Sequence, residues 1–172
     1  MIILRHGQTV WNREGRMQGR LDSDLTPLGQ VQAAHQGALL RGLGTGFAAR
    51  VSPRGRARRT AALAGLRPIV DDDLAEVSMG TWEGRIRPGG AGQSGVLWKF
   101  AAPNGESQAE LIERLHRVLS TCHGPTVLIT HGVLCIGLRA LLTGLAPDEW
   151  DSLDDPQGVL HVIEGGQERI LR

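Results

Sequence analysis

A chain of 172 residues, 41% of them apolar and 22% charged, is long enough to bury a core as one domain spanning 1–172 and needs no disulfide or metal to fold. A formal net charge of +1 argues against bulk capture of nucleic acid or of an anionic membrane, so any anion site must be local. Cys122 and Cys135 have no CxxC spacing and read as free thiols, and with no basic and apolar leader visible the chain reads as cytoplasmic.

In chain order, the apolar run 2–4 predicts a buried strand that ends in Arg5, His6 and Gly7. Residues 8–24 carry glycines, arginines and polar residues without a period and predict a long loop. Thr26 offers an N-cap with Pro27 at the first helical position, and Leu28, Val31 and Leu39 suggest the apolar stripe of a helix to about Leu40. A short strand over 48–52 leads into Pro53 and Gly55, then a helix to about Gly65. Residues 68–70 predict a further strand, and 71–84 a loop containing Glu76, Trp82 and Glu83.

The glycine-rich stretch 87–95 predicts a mobile surface loop, the centre of a lid-like insertion around 85–103. Trp98, close to Phe100, reads as packing within that lid. Ser107 and Glu110 form a capping box ahead of an amphipathic helix whose apolar face is Leu111, Ile112, Leu115, Val118 and Leu119. Residues 126–130 predict a fully buried strand ending in His131 and Gly132, and 133–142 a buried helix. One helical turn over 147–150 and a hairpin through Gly165 and Gly166 complete the chain.

This alternation predicts an α/β fold: a three-layer α/β/α sandwich around a mostly parallel sheet, with the terminal hairpin adding an antiparallel edge strand. Parallel strands bring their carboxyl ends to one edge, where ligands bind in open α/β sheets. Arg5 and His6, Arg56, and His131 each follow a strand and can therefore converge although far apart in sequence.

These residues sit in an ordered series of motifs: LRHG and TVWN, then SPxxRAxxTA, LxExxxGxWEG, PNGES and THG. The series, from His6 to His131, resembles the histidine phosphatase superfamily in its phosphoglycerate-mutase-like, RHG-bearing branch. The resemblance implies that His6 becomes a transient phosphohistidine. It implies too that Arg5, Arg56, His131 and Asn12 surround the phosphoryl group, with Glu76 as proton donor. Gln18 and Gly19 match positions that contact the rest of the substrate in mutases. No metal and no cofactor is implied.

The residue types suit phosphoryl transfer independently of the family. An arginine fork gives charge-assisted bonds to phosphoryl oxygens, and nearby arginines keep an imidazole neutral, hence nucleophilic. A carboxylic acid beside a phosphate dianion can stay protonated, because like charge disfavours ionisation. A zinc site on His6 and His131 is opposed by the adjacent arginines and by the lack of ligand spacing. The run Arg54, Arg56, Arg58 and Arg59 has no interleaved aromatics and reads as a solvated face rather than a nucleic-acid patch, leaving open which of Arg54, Arg58 and Arg59 supplements Arg56. Glu83 is the second candidate acid, in the same loop as Glu76.

The expected activity is that of a histidine acid phosphatase-type phosphomonoesterase acting on a small phosphate ester, without nucleic acid or membrane; a homodimer is compatible with the sequence. A cofactor-dependent phosphoglycerate mutase and a non-catalytic phospho-ligand binding module are the alternatives. The 22 residues of 84–105 make a short cover for the water exclusion a mutase requires, which favours the phosphatase.

Overall fold

The computed structural model describes residues 1–86 and 95–172. Six strands form one sheet in the order β3-β2-β4-β1-β5-β6. They are β1 (Ile2–Arg5), β2 (Ala48–Val51), β3 (Ile69–Val70), β4 (Thr126–Thr130), β5 (Leu160–Glu164) and β6 (Gln167–Leu171). β1, β2, β3 and β4 run parallel; β5 pairs antiparallel with β1 and with β6, so the terminal hairpin is the antiparallel side of the sheet, as its glycines predicted.

The central strands are apolar throughout because both faces are covered. Ile3 and Leu128 enter one core with Leu111 and Leu115 of α4 (Gln108–Ser120) and Leu134 and Leu138 of α5 (Gly132–Thr143). Leu4, Val127 and Ile129 point the other way, into a core with Leu40 of α2 (Pro27–Gly42) and Ala57 and Ala61 of α3 (Gly55–Leu63). The helices thus form two outer layers around the sheet, as the alternating pattern predicted.

Three local expectations need correction. A helix, α1 (Val10–Glu14), stands inside the predicted loop 8–24. It is too short for an apolar period, but Thr9 and Asn12 close a capping box around its first turn and Gly15 ends it in the left-handed region. Second, Leu28 and Val31 are 52% and 66% exposed and do not form the buried stripe of α2. The buried face is Gly29, Ala33, Gln36, Gly37 and Leu40. Small residues four apart let two backbones approach: a Cβ on Gly29 would stand 2.0 Å from the Gln8 carbonyl oxygen, and one on Gly37 2.4 Å from that of Ala64.

Third, the loop 71–84 contains two short 3₁₀ turns, Asp72–Leu74 and Gly80–Trp82. The centre of the expected lid, 87–94, lies outside the described residues. Beyond it, a 3₁₀ turn over Leu97–Ala101 is fixed by the Asp151 carboxylate, which accepts from the Leu97 amide at 3.0 Å. Trp98 stacks on Trp82 with ring centroids 5.9 Å apart, and Phe100 meets Trp150 edge-on at 6.1 Å. Among the described residues, no helix is long and apolar enough to cross a membrane.

Candidate active site

The carboxyl ends of β1, β2 and β4 lie side by side, with Arg5 opposite Thr130 and Val51 opposite Ile129. The motifs that follow these ends are hydrogen-bonded to one another. The His6 amide donates to the Thr130 carbonyl at 3.0 Å, and the Ser52 amide to the Ile129 carbonyl at 3.0 Å. Thr60 accepts from the Gly7 amide at 3.1 Å while its hydroxyl donates to the Arg56 carbonyl at 2.8 Å, so the last turn of the arginine motif holds the histidine motif. Gly7 also permits the close approach of α2: a Cβ there would stand 2.1 Å from the Gly29 carbonyl oxygen.

His6 is 2% exposed and its two ring nitrogens have different partners. Nδ1 lies 2.8 Å from the Gly7 carbonyl, which can only accept, so Nδ1 carries the hydrogen. Nε2 receives the Arg56 Nε–H at 3.2 Å and therefore holds the lone pair. Burial, then the charges of Arg56 and Arg5, hold the His6 pKa well below the ordinary histidine value. The result is a neutral imidazole whose Nε2 lone pair accepts from the arginine.

Arg56 is itself fixed. Its guanidinium donates to the carbonyls of Gly19 at 2.8 Å and Leu21 at 2.6 Å and to the Asp22 carboxylate at 3.2 Å. Burial pulls the Arg56 pKa down, with Glu76 and Asp22 opposing. His131 packs edge-on against His6 with centroids 5.2 Å apart, and its Nε2 lies 2.6 Å from the Ser52 hydroxyl. Among the described residues its buried Nδ1 has no hydrogen-bond partner.

Arg5, His6, Asn12, Gln18, Gly19, Arg56 and Glu76 line one cavity of about 170 Å³. Of the residues expected at the site these seven border the cavity, whereas His131 does not. Glu76 accepts from the amides of Val77 at 3.0 Å and Val133 at 3.3 Å, the second at the N-terminus of α5. Its loop is held from outside by Arg114, which donates to the carbonyls of Asp73 at 2.6 Å and Ala75 at 2.7 Å and pairs with Glu106 of PNGES. Glu83 is placed otherwise: its carboxylate accepts from the amides of Arg20 and Met79, both at 3.0 Å, and it is not among the residues lining the cavity.

Arg54, Arg58 and Arg59 do not line it either. Arg54 donates to the Arg20 carbonyl at 2.9 Å and borders a separate open groove of about 870 Å³ that none of the predicted catalytic residues lines. The outer wall of the small cavity is Trp11, Met17, Met79 and Trp98, with Arg16 and Lys99 beside them. The Arg16 guanidinium sits 5.4 Å from the Trp11 ring centroid. Sequence reasoning missed this wall, together with Asp155 and Gln157, whose contacts to Arg5, His6 and Asn12 come from a loop without a recognisable motif.

The buried histidines make folding pH-dependent. The pKa values of His6, His131 and His161 are all lowered, chiefly by burial. In the unfolded chain each takes up a proton below about pH 6.5, while the folded protein resists it, so the stability they contribute is present above that pH and is lost as pH falls. Each histidine that stays neutral contributes about 1.4 kcal/mol per pH unit. Asp155, whose carboxyl is raised by burial, opposes with one proton against three. The urea midpoint is expected to be clearly lower at pH 5.5 than at pH 7.5; an equal or higher midpoint at pH 5.5 would contradict the burial of neutral imidazoles.

Comparison with known proteins adds a family. The model described as the histidine phosphatase superfamily (branch 1) matches residues 1–171. A probable phosphoglycerate mutase GpmB of Klebsiella pneumoniae subsp. pneumoniae is 35% identical over 84% of this chain and 75% of its own length. A glucosyl-3-phosphoglycerate phosphatase of Mycolicibacterium vanbaalenii is 33% identical over 89% of this chain and 78% of its own. Among solved structures, the product of an open reading frame of Mycobacterium tuberculosis superposes with a TM-score of 0.84 at 28% identity, covering 99% of this chain and 94% of its own. A mycobacterial glucosyl-3-phosphoglycerate phosphatase in complex with VO3 superposes with a TM-score of 0.78 at 29% identity, covering 99% and 95%.

Proposed function

The chain belongs to the histidine phosphatase superfamily, and on that premise we propose that it is a phosphomonoesterase that hydrolyses small phosphorylated metabolites through a phosphohistidine on His6. The observation that carries this reading is the convergence in one small cavity of a neutral His6, Arg5, Arg56, Asn12 and Glu76.

In the first step the His6 Nε2 lone pair leaves the Arg56 Nε–H and forms a bond to phosphorus as the ester P–O bond breaks. Glu76 gives its proton to the departing oxygen, so the leaving group goes as a neutral alcohol. The imidazole gains positive charge, and the Gly7 carbonyl on Nδ1–H stabilises it. Arg5, Arg56 and the Asn12 amide hold the equatorial oxygens, where charge is spread in the transition state. With the Ser52 hydroxyl donating to Nε2, His131 offers Nδ1–H as a further donor. In the second step the Glu76 carboxylate takes a proton from water, the water oxygen bonds to phosphorus, the N–P bond breaks, and inorganic phosphate leaves with His6 neutral again.

The test is a panel of phosphometabolites, 3-phosphoglycerate included, scored for phosphate release at neutral pH. Release from several members, with stoichiometric alcohol, is expected. A mutase reading draws on the printed name of the Klebsiella relative. Isomerisation of 3-phosphoglycerate in the presence of a bisphosphate primer, without phosphate release, would replace the phosphatase reading with that one.

A further inference from the structure

The chain from Asp154 to Gln157 lies beyond the last of the recognised motifs, yet it touches three members of the cavity. Arg5 Nη1 is bonded to the Asp155 carboxylate at 2.7 Å and to the Asp155 carbonyl at 2.6 Å. Gln157 Nε2 donates to the His6 carbonyl at 2.9 Å and to Asn12 Oδ1 at 3.2 Å. The segment is anchored from behind: Arg139, 2% exposed, donates through Nη1 to the Asp154 carbonyl at 2.5 Å and is held by Glu168 at 2.6 and 3.0 Å. Glu168 in turn lies 2.7 Å from His161 Nδ1. Gly132 keeps the approach open, since a Cβ there would stand 2.4 Å from an Asp155 carboxylate oxygen.

We propose that Asp155 and Gln157 are positioning residues for phosphoryl binding: Asp155 aims the Arg5 guanidinium, and Gln157 sets the direction of the Asn12 amide and of the His6 backbone. The inference rests on the phosphatase reading of the same site. A guanidinium is a planar fork, and two acceptors on one nitrogen fix both its depth and its plane, leaving the remaining N–H groups for a phosphoryl group. An amide has an acceptor end and a donor end. The Thr9 amide at 3.1 Å and Gln157 both donate to Asn12 Oδ1, so the NH₂ end is the one left for an anion.

A positioning role and a mere charge-balancing role for Asp155 differ in sign. Removing a carboxylate that only offsets Arg5 would strengthen anion binding; removing one that aims Arg5 weakens it. The experiment compares wild type, Asp155→Ala, Asp155→Asn and Gln157→Glu, each checked for cooperative unfolding well above the assay temperature. The readouts are the inhibition constant for orthovanadate, its binding by calorimetry, and KM and kcat for p-nitrophenyl phosphate.

Asp155→Ala is expected to weaken vanadate binding by about tenfold or more. Asp155→Asn keeps an acceptor for Arg5 and is expected to recover part of the loss. Gln157→Glu preserves shape but removes both donated bonds and sets a carboxylate against the His6 carbonyl and Asn12 Oδ1, which displaces both groups, with an expected loss of about 100-fold in kcat/KM. Unchanged or tighter vanadate binding in Asp155→Ala, or a Gln157→Glu protein with wild-type KM and kcat, would overturn the proposal. A wild type that binds vanadate without turnover would overturn the phosphatase reading while the vanadate affinities still decide the positioning claim. A wild type that does neither would end both.

Discussion

His6→Ala is expected to lower the rate of p-nitrophenyl phosphate hydrolysis by about 10³-fold or more, because the substitution removes the atom that bonds to phosphorus while Arg5, Arg56 and Asn12 remain to hold the ester. Binding and chemistry should therefore separate: vanadate should still bind, though more weakly, since Arg56 Nε loses its His6 partner. A second readout is covalent. Wild type quenched in base during turnover should carry one alkali-stable, acid-labile phosphoryl group, and the variant none. A His6→Ala rate within about tenfold of wild type would exclude this imidazole as the nucleophile.

The second large effect belongs to Glu76. Glu76→Gln keeps the side chain's length and one of the two accepting oxygens, so one of the Val77 and Val133 amides loses its acceptor, and it cannot supply a proton. General acid catalysis contributes about 10²–10⁴-fold, and its value depends on the leaving group. An alkyl phosphate expels a strongly basic alkoxide unless it is protonated, whereas nitrophenolate departs readily. The variant should therefore lose about 10³-fold on an alkyl phosphate and far less on p-nitrophenyl phosphate in the first step. Glu83→Gln serves as the contrast: the Arg20 and Met79 amides both donate to Oε1, an oxygen that glutamine keeps, so any effect should be small and alike on both substrates. A leaving-group dependence that appears in Glu83→Gln and not in Glu76→Gln would reverse their roles.

Much of this site was legible in the sequence because its members sit in short contiguous words directly after strands. Once Arg5-His6, Ser52 to Arg56, and Thr130-His131 are recognised as strand ends, a parallel sheet brings them together without further information. Glu76 could be told from Glu83 only by placement, since both lie in one loop and differ in which backbone amides they meet. Asp155 and Gln157 were not legible: the first holds the Arg5 guanidinium and the second the His6 carbonyl and the Asn12 amide, all about 150 positions away, and nothing local to them signals it.

The errors in secondary structure have similar physical causes. α1 is a helix made by its caps, with Asn12 where a glutamate or glutamine usually closes the box. α2 was assigned its face from large apolar residues, whereas the contacts it makes are backbone against backbone, which select Gly29, Ala33 and Gly37 and leave Val31 in solvent. Gln36 shows the same effect in polar form. It is fully buried on that face because its amide donates to the Arg5 and Val159 carbonyls, both at 3.0 Å.

That backbone seat beneath Gly7 and Gln8 has a consequence for how such a protein can diversify. At Gly7 and Gly29 the loop that carries His6 meets α2 backbone to backbone, beside the Gln32 and Gln36 side chains that bond to the Gln8 amide and the Arg5 carbonyl, so a side chain added at either glycine would break the contact outright. Trp11 on α1 and Met17, Met79 and Trp98 on loops and turns, by contrast, reach the cavity by side chains and can be exchanged one at a time. Under the phosphatase reading, the backbone contact insulates the chemistry, and the cavity wall is the part whose side chains can change selectivity for the leaving group.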